Sequence, residues 1–400
     1  MIRNLGWAFL HHGVGRGALF VFFLALPWLM GAEDVGRLTF TYTLLLLILQ
    51  PLLDTAIGTI ITKYTARETL PRVRHVLRFL VTAIVSAIVG ITAASLLIPD
   101  QVPILPLLGA AVLGAIALNA VFSWRRGLDD FRMEGIVGTA HKVMVLLALV
   151  LLVSVGVTGP TVAAMAMLIG VIGAWALAGT AFADILRQFG RLMVPAPSDD
   201  TSTTALLREG IVLSAVGVVG LLYLRIDIVM LGLLSGEAEV GLYFTAARVL
   251  EASFIVPHIV MLVVFPRLAL IKEKHPLLRR TVIGLGLSGL LAALALAGAG
   301  RWLIPQIYGA DWVRTGDILV LLSLAAPAVF LGYCLTQALT ARDLQERYLV
   351  VALIGLGLNI GLNLILIPRF GGMGAAGATV VTEIVVTAGA GAALFWRDRS

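Results

Sequence analysis

Apolar positions along this chain gather into long, nearly unbroken runs, not the alternating or one-sided patterns of a soluble domain. A membrane-crossing helix takes roughly 20 predominantly apolar residues. About twelve runs reach that length, at approximately 13–31, 38–61, 77–98, 103–124, 136–157, 160–182, 210–234, 239–266, 281–305, 316–339, 348–367 and 374–396. Each predicts a transmembrane helix. The expected fold class is all-α, a polytopic membrane protein of about 12 spans, because lipid leaves a backbone few other ways to satisfy its polar groups. The first run continues toward the second without a small-residue cleavage site, so it reads as a retained span and not as a signal peptide.

The longest polar segment, 184–209, holds Pro195, Pro197, Ser198, Asp199 and Asp200 followed by threonines. It reads as a cytoplasmic linker between an N-terminal six-helix lobe, 1–183, and a C-terminal six-helix lobe, 210–400. The two halves carry matching landmarks. Asp34-Val35-Gly36-Arg37-Leu38 is answered 205 positions later by Glu239-Val240-Gly241-Leu242-Tyr243. Pro51 matches Pro257, and Ile98-Pro99 matches Ile304-Pro305, at nearly the same offset. An even number of spans in each half makes the repeat parallel. The expectation is two parallel six-helix lobes around a central cavity, opened alternately to either side. Pro27, Pro257 and Pro327 lie inside spans and are expected to kink them.

Composition sharpens this picture. Mean hydropathy is +1.01 and 13% of residues are charged, against about 25% in soluble domains. The net charge of +6 would suit nucleic acid, but its distribution points elsewhere. Basic residues crowd alternate loops: Lys63 to Arg78, Arg125 to Arg132, Arg187 to Arg208, Arg267 to Arg280, Arg342 with Arg347, and Arg397 with Arg399. The opposite loops hold Arg37, Arg301, Arg314 and Arg369. This bias of roughly five to one places both termini in the cytoplasm, and no nucleic-acid partner is expected. Some attraction to anionic membrane lipids follows. The outer loops are short, which argues against an embedded polysaccharide polymerase. Cys334, the single cysteine, cannot form an intramolecular disulfide and reads as a packing residue.

Charged side chains within spans are costly and usually face a cavity or a partner. Arg225 and Asp227 lie in span seven, Arg248 and Glu251 in span eight. Counting from the turn near Ser235, both arginines fall roughly 15–20 Å below the outer surface. Two guanidinium groups at one depth suit an anion, since each fork bonds two oxygens. The competing reading is internal pairing of Arg248 with Glu251, three residues apart. Asp227 does not share a face with Arg225 and is expected to reach toward span eight. Arg16 reads as a phosphate-attracting cation or as a snorkelling one. Lys142, with His141 near the inner end of span five, offers a cavity cation or a snorkelling side chain. Asp54 near the inner end of span two reads either as a proton-coupling carboxylate or as a solvated helix-end residue. His258 offers a protonation switch, and Glu383 stands alone in span twelve as a coupling candidate. His11 and His12 read as interfacial. No ATP-binding, catalytic or metal motif appears, so no cofactor is expected, and energy would come from a substrate gradient or a coupling ion, H⁺ or Na⁺.

Arg225-Ile226-Asp227-Ile228-Val229-Met230-Leu231-Gly232, then Val240-Gly241-Leu242-Tyr243 and Ala246-Ala247-Arg248-Val249-Leu250, resemble the polysaccharide-biosynthesis flippases of the multidrug/oligosaccharidyl-lipid/polysaccharide exporter superfamily. Phe265-Pro266-Arg267-Leu268, Ile307-Tyr308-Gly309-Ala310-Asp311-Trp312, Asn359, Asn363 and Ile367-Pro368-Arg369-Phe370-Gly371 agree in order and spacing. The resemblance implies two six-helix lobes and a cationic cavity, which Arg16, Arg225, Arg248 and Lys142 would line. Its implied substrate is a polyprenyl-diphosphate-linked oligosaccharide carried from the inner to the outer leaflet of a bacterial inner membrane. Polymerase and glycosyltransferase machinery are the implied partners. The chain is shorter than lipid II flippases generally are, which favours an O-antigen, capsule or exopolysaccharide unit over a peptidoglycan precursor. The alternatives are a multidrug exporter of the same superfamily, an embedded polymerase, or a scaffold without transport.

Overall fold

The computed structural model describes residues 6–7, 10–67, 70–97, 104–193, 203–270 and 276–395. Among them every regular element is helical. The first half comprises α1 (Arg16–Leu29), α2 (Ala32–Leu49), α3 (Ile57–Ala66), α4 (Leu70–Leu97), α5 (Ile104–Gly127), α6 (Arg132–Ser154) and α7 (Pro160–Met193). The second comprises α8 (Thr203–Leu234), α9 (Glu237–Ala252), α10 (Ile255–Ala269), α11 (Pro276–Gly298), α12 (Ile304–Tyr308), α13 (Val313–Ser323), α14 (Ala326–Ala341), α15 (Gln345–Phe370) and α16 (Gly372–Phe395).

Nine described helical segments are long and apolar enough to cross a membrane, and two bent pairs raise the number to eleven. The place of the first expected span is taken by the shorter apolar helix Gly13–Leu29. The expected count of twelve is therefore approximate, although each predicted run finds a helix in order. Large apolar side chains point outward along these helices: Leu97 is 81% exposed, Leu294 72% and Leu262 70%. That is the face a helix presents to lipid. Of the expected linker, α7 continues to Met193 and α8 begins at Thr203. Its proline-rich centre lies outside the described residues.

The chain resolves into two compact units, Met1–Met30 with Thr41–Leu221, and Gly31–Phe40 with Leu222–Ser400. The division falls inside α2 and inside α8. In the first unit, Leu118, Phe122, Met133, Val137 and Ala174 form a core flanked by Trp124 and Trp175. In the second, Met261, Leu285, Phe330, Leu339 and Cys334 form another. Cys334 is fully buried there and acts as the apolar packing residue its position suggested.

Prolines account for the irregular spans. A proline donates no backbone hydrogen bond and crowds the carbonyl four residues earlier. Pro51 lies in a π-helical stretch, Gln50–Ala56, where the span bends by 50°. Pro257 follows the turn at Ser253 and Phe254 that separates α9 from α10. Pro327 follows the 47° bend between the segments ending at Ser323 and starting at Ala326. Pro27 departs from expectation: it lies in the last turn of α1 and marks its end.

The matched Val-Gly landmarks meet in space. A Cβ on Gly36 would overlap the Glu237 carbonyl, and a Cβ on Gly241 would overlap the Ala32 carbonyl. Each carbonyl lies four residues before the opposite glycine, so the contact is reciprocal, as a two-fold relation between repeats requires. Val35 and Val240 beside it are 1% and 0% exposed. Arg37 clamps the crossing, with Nε donating to Glu237 at 2.9 Å and Nη2 to Glu33 at 3.3 Å. Small residues permit this backbone approach, which in membranes stands in for the missing hydrophobic drive between helices. Gly36→Ala and Gly241→Ala should each destabilise the protein by about 1–3 kcal/mol, the usual cost of overpacking. Gly284→Ala meets open space and should not. Thermal unfolding of the purified proteins in detergent checks this.

Candidate functional site

Among the described residues, each unit holds a cluster of charged side chains drawn from several helices. In the second unit, α8 supplies Tyr223, Arg225 and Asp227, α9 supplies Tyr243, Arg248 and Glu251, and α16 supplies Thr379 and Glu383. Glu251 sits between both arginines. Arg225 Nη1 donates to its Oε1 at 3.0 Å, and Arg248 Nη1 donates to its Oε2 at 2.8 Å. The pairing foreseen between Arg248 and Glu251 therefore forms, and Arg225 joins it. The triad keeps one net positive charge. The three side chains remain 21%, 17% and 31% exposed, so a ligand can reach them. The Arg248 guanidinium also lies 4.6 Å from the centre of the Phe244 ring, a cation–π contact that helps hold it in place.

Asp227 does reach α9, where it accepts a hydrogen bond from the Tyr243 hydroxyl. It also accepts one from the Ile228 amide at 2.8 Å. Tyr243 Oη lies 3.2 Å from Thr379 Oγ1. One turn away on both α8 and α16, the Tyr223 hydroxyl donates to Glu383 at 2.9 Å. Glu383, solitary in the sequence, is thus paired across helices. His258 is not gathered into this cluster. It is exposed, with Nδ1 3.0 Å from the Tyr333 hydroxyl.

The first unit gathers Asp54, Asn119, Arg126, Glu134, His11 and Lys142. Asp54 accepts a hydrogen bond from the Asn119 side chain. Arg126 Nη2 donates to Ser123 at 2.8 Å and reaches Asn119 at 3.5 Å. Its Nη1 stands 3.6 Å from Glu134 Oε1. Lys142 Nζ lies 3.3 Å from His11 Nε2, and Gly15 leaves room for the Lys142 stem, since a Cβ there would meet its Cδ at 2.9 Å. Arg16 is exposed, yet near enough for its charge to repel that of Lys142.

Lys142 is the eleventh residue of α6, about 15 Å along it at about 1.5 Å per residue. Asp54 lies in the π-helical stretch Gln50–Ala56, twelve residues before the end of α3 at Ala66. The helices run past the apolar segments that defined the spans. His11, expected at the interface, is 14% exposed by its side chain and lies against Glu134 and Lys142. Arg126 read as a topology signal, and Glu134 and Asn119 drew no notice. Residues next to a turn look like ordinary interfacial side chains in sequence, and no signal there distinguishes them. Tyr243 read only as part of a repeat landmark, and Tyr223 carried one signal: it stands four residues before Asp227, a spacing that stacks them on one face. Among the described residues, no three His, Cys, Asp or Glu side chains gather as a metal site.

The family model described as "Polysaccharide biosynthesis protein" matches residues 1–272. The "Probable flippase AglR" of Haloferax volcanii is 31% identical over 170 residues, 40% of this chain and 35% of that one. The chain thus spans little more than a third of the length of the curated relatives it matches. The solved lipid II flippase MurJ, in its inward closed conformation, superposes with a TM-score of 0.72 at 14% identity, covering 98% of this chain and 87% of that one. An inward-facing multidrug resistance MATE family transporter of the MOP superfamily does so at 0.68 and 13%, covering 93% and 91%. These two likenesses establish a shared fold.

The hydroxyl–carboxylate pairs generate a stability prediction. Tyr243→Phe and Tyr223→Phe each leave a buried carboxylate short of one donor. Each should cost about 1–2 kcal/mol, the scale of interhelical hydrogen bonds in membranes. Detergent unfolding curves measure it.

Proposed function

The chain belongs to the polysaccharide biosynthesis protein family, and from that premise we propose that it is a flippase. It moves a polyprenyl-diphosphate-linked oligosaccharide from the inner to the outer leaflet of the cytoplasmic membrane, for surface polysaccharide such as O-antigen, capsule or exopolysaccharide. The Arg225–Glu251–Arg248 triad carries this reading. A diphosphate offers several anionic oxygens, and two guanidinium groups ordered side by side can each fork onto them. Glu251 holds both forks in place while the cargo is absent. An arriving diphosphate takes over those hydrogen bonds and leaves the carboxylate without its cations. An uncompensated charge within a span is costly, so Glu251 or its neighbour Asp227 then favours a coupling ion. The apolar tail of the carrier can stay in lipid throughout.

Alternating access supplies the movement. The distribution of basic residues supports cytoplasmic termini, and the polymerase and glycosyltransferases that make and extend the glycan are the natural partners. The multidrug exporter reading draws on the shared fold, but a cationic drug would meet repulsion at Arg225 and Arg248 and again at Arg16 and Lys142.

A deletion strain should accumulate polyprenyl-diphosphate glycan on the inner leaflet and lose surface polymer. Unchanged glycans with raised drug sensitivity would favour the exporter instead. In the complemented strain, Arg248→Ala should abolish export while the protein stays at its normal level in the membrane. Export that survives this substitution rules out the role given to the triad.

A further inference from the structure

The first unit holds a carboxylate for which the diphosphate site has no use. Glu134 opens α6 close to the turn that follows α5, and only 9% of its side chain is exposed. Oε1 faces Arg126 at 3.6 Å and His11 at 4.0 Å. Oε2 is buried without a hydrogen-bond partner. An ion pair kept for stability alone would close to hydrogen-bond distance and satisfy both oxygens. This one does neither.

The described charged and titratable groups facing Glu134 are few. Arg126 comes from α5, His11 from the segment before α1, and Lys142 from α6 itself, with its charge acting on Glu134. Arg126 also feels Asp54, through Asn119, and Lys142 feels Arg16. Each described charged or titratable side chain around the carboxylate therefore presents nitrogen and not oxygen. A hard metal cation needs several oxygen ligands and finds one side chain that offers them. A proton needs only the vacant oxygen.

We propose that Glu134 is a proton-binding site whose occupancy is linked to the anion load on Arg126 and Lys142. With those cations free, they compensate the carboxylate and it stays ionised. When an anion draws on the same cations, Glu134 is left as a poorly compensated charge away from water. Such a group neutralises itself. Proton uptake at Oε2 then accompanies anion binding, and by reciprocity protonation of Glu134 strengthens the hold on the anion. His11, lying 3.3 Å from Lys142 and 4.0 Å from Glu134, stands where a proton can pass between the two. The proposal rests on the flippase reading for the nature of the cargo and names the coupling ion as H⁺.

Infrared difference spectroscopy on the purified full chain tests it. The probe is methanedisulfonate, a diphosphate-shaped dianion that stays fully ionised across neutral pH. Its addition should raise a protonated-carboxyl band and draw about one proton per protein from a weakly buffered medium. Both signals should fall in Glu134→Gln with binding retained, and both should persist in Glu383→Gln. If Glu134→Gln does not fold, glutamate labelled with ¹³C in the wild type separates glutamate bands from aspartate bands, and Glu383→Gln and Glu251→Gln identify the bands of those two residues so that they can be subtracted. Glu134→Asp should then keep a band at a shifted frequency. Binding without a carboxyl band, or with an equal band and uptake in Glu134→Gln, overturns the proposal and leaves the flippase reading standing. Failure of the wild type to bind the dianion at all counts against both.

Discussion

Lipid offers no hydrogen bonds, so polar groups within the spans must be satisfied inside the protein or along a path that water and ligand can reach. The rest of this structure follows from that constraint. Backbone groups pair within helices. Side chains that carry charge pair across helices: Arg225 and Arg248 with Glu251, Tyr243 with Asp227, Tyr223 with Glu383 and Asn119 with Asp54. Each cluster is polar enough to be functional and paired enough to be tolerated. In the triad, one carboxylate serves two guanidinium groups, so the charge is reduced but not cancelled.

Irregularity and close approach answer the same constraint mechanically. Where Pro51 or Pro327 interrupts the hydrogen-bond ladder, the span bends and stays embedded. Where Gly36 meets Gly241, two helices that belong to different sequence repeats touch through their backbones. No side chain separates them there, and the Arg37–Glu237 ion pair at 2.9 Å fixes their register. A contact of this kind resists separation and offers little room to slide.

Much of the fold was legible because a span announces itself by length and composition. The apolar runs around 77–98 or 348–367 permit hardly any other structure. The 205-residue offset between the Val-Gly landmarks was equally plain, since repeats keep their glycines wherever backbones must meet. Helix ends were less legible. Apolar runs mark where lipid contact lies, and helices such as α6, which begins at Arg132, continue beyond them.

For the site, the sequence determined the inventory of buried charges on each span and, through helical spacing, that Arg248 and Glu251 share a face. Only the tertiary structure decided which groups on different spans meet. It brought Arg225 to the same carboxylate, gave Glu383 its tyrosine 160 positions away, and made Glu134, Arg126 and His11 into a cluster. Helical periodicity orders neighbours along one helix, whereas the rotation and crossing of separate helices come from the packing of many small residues at once, which no local pattern records.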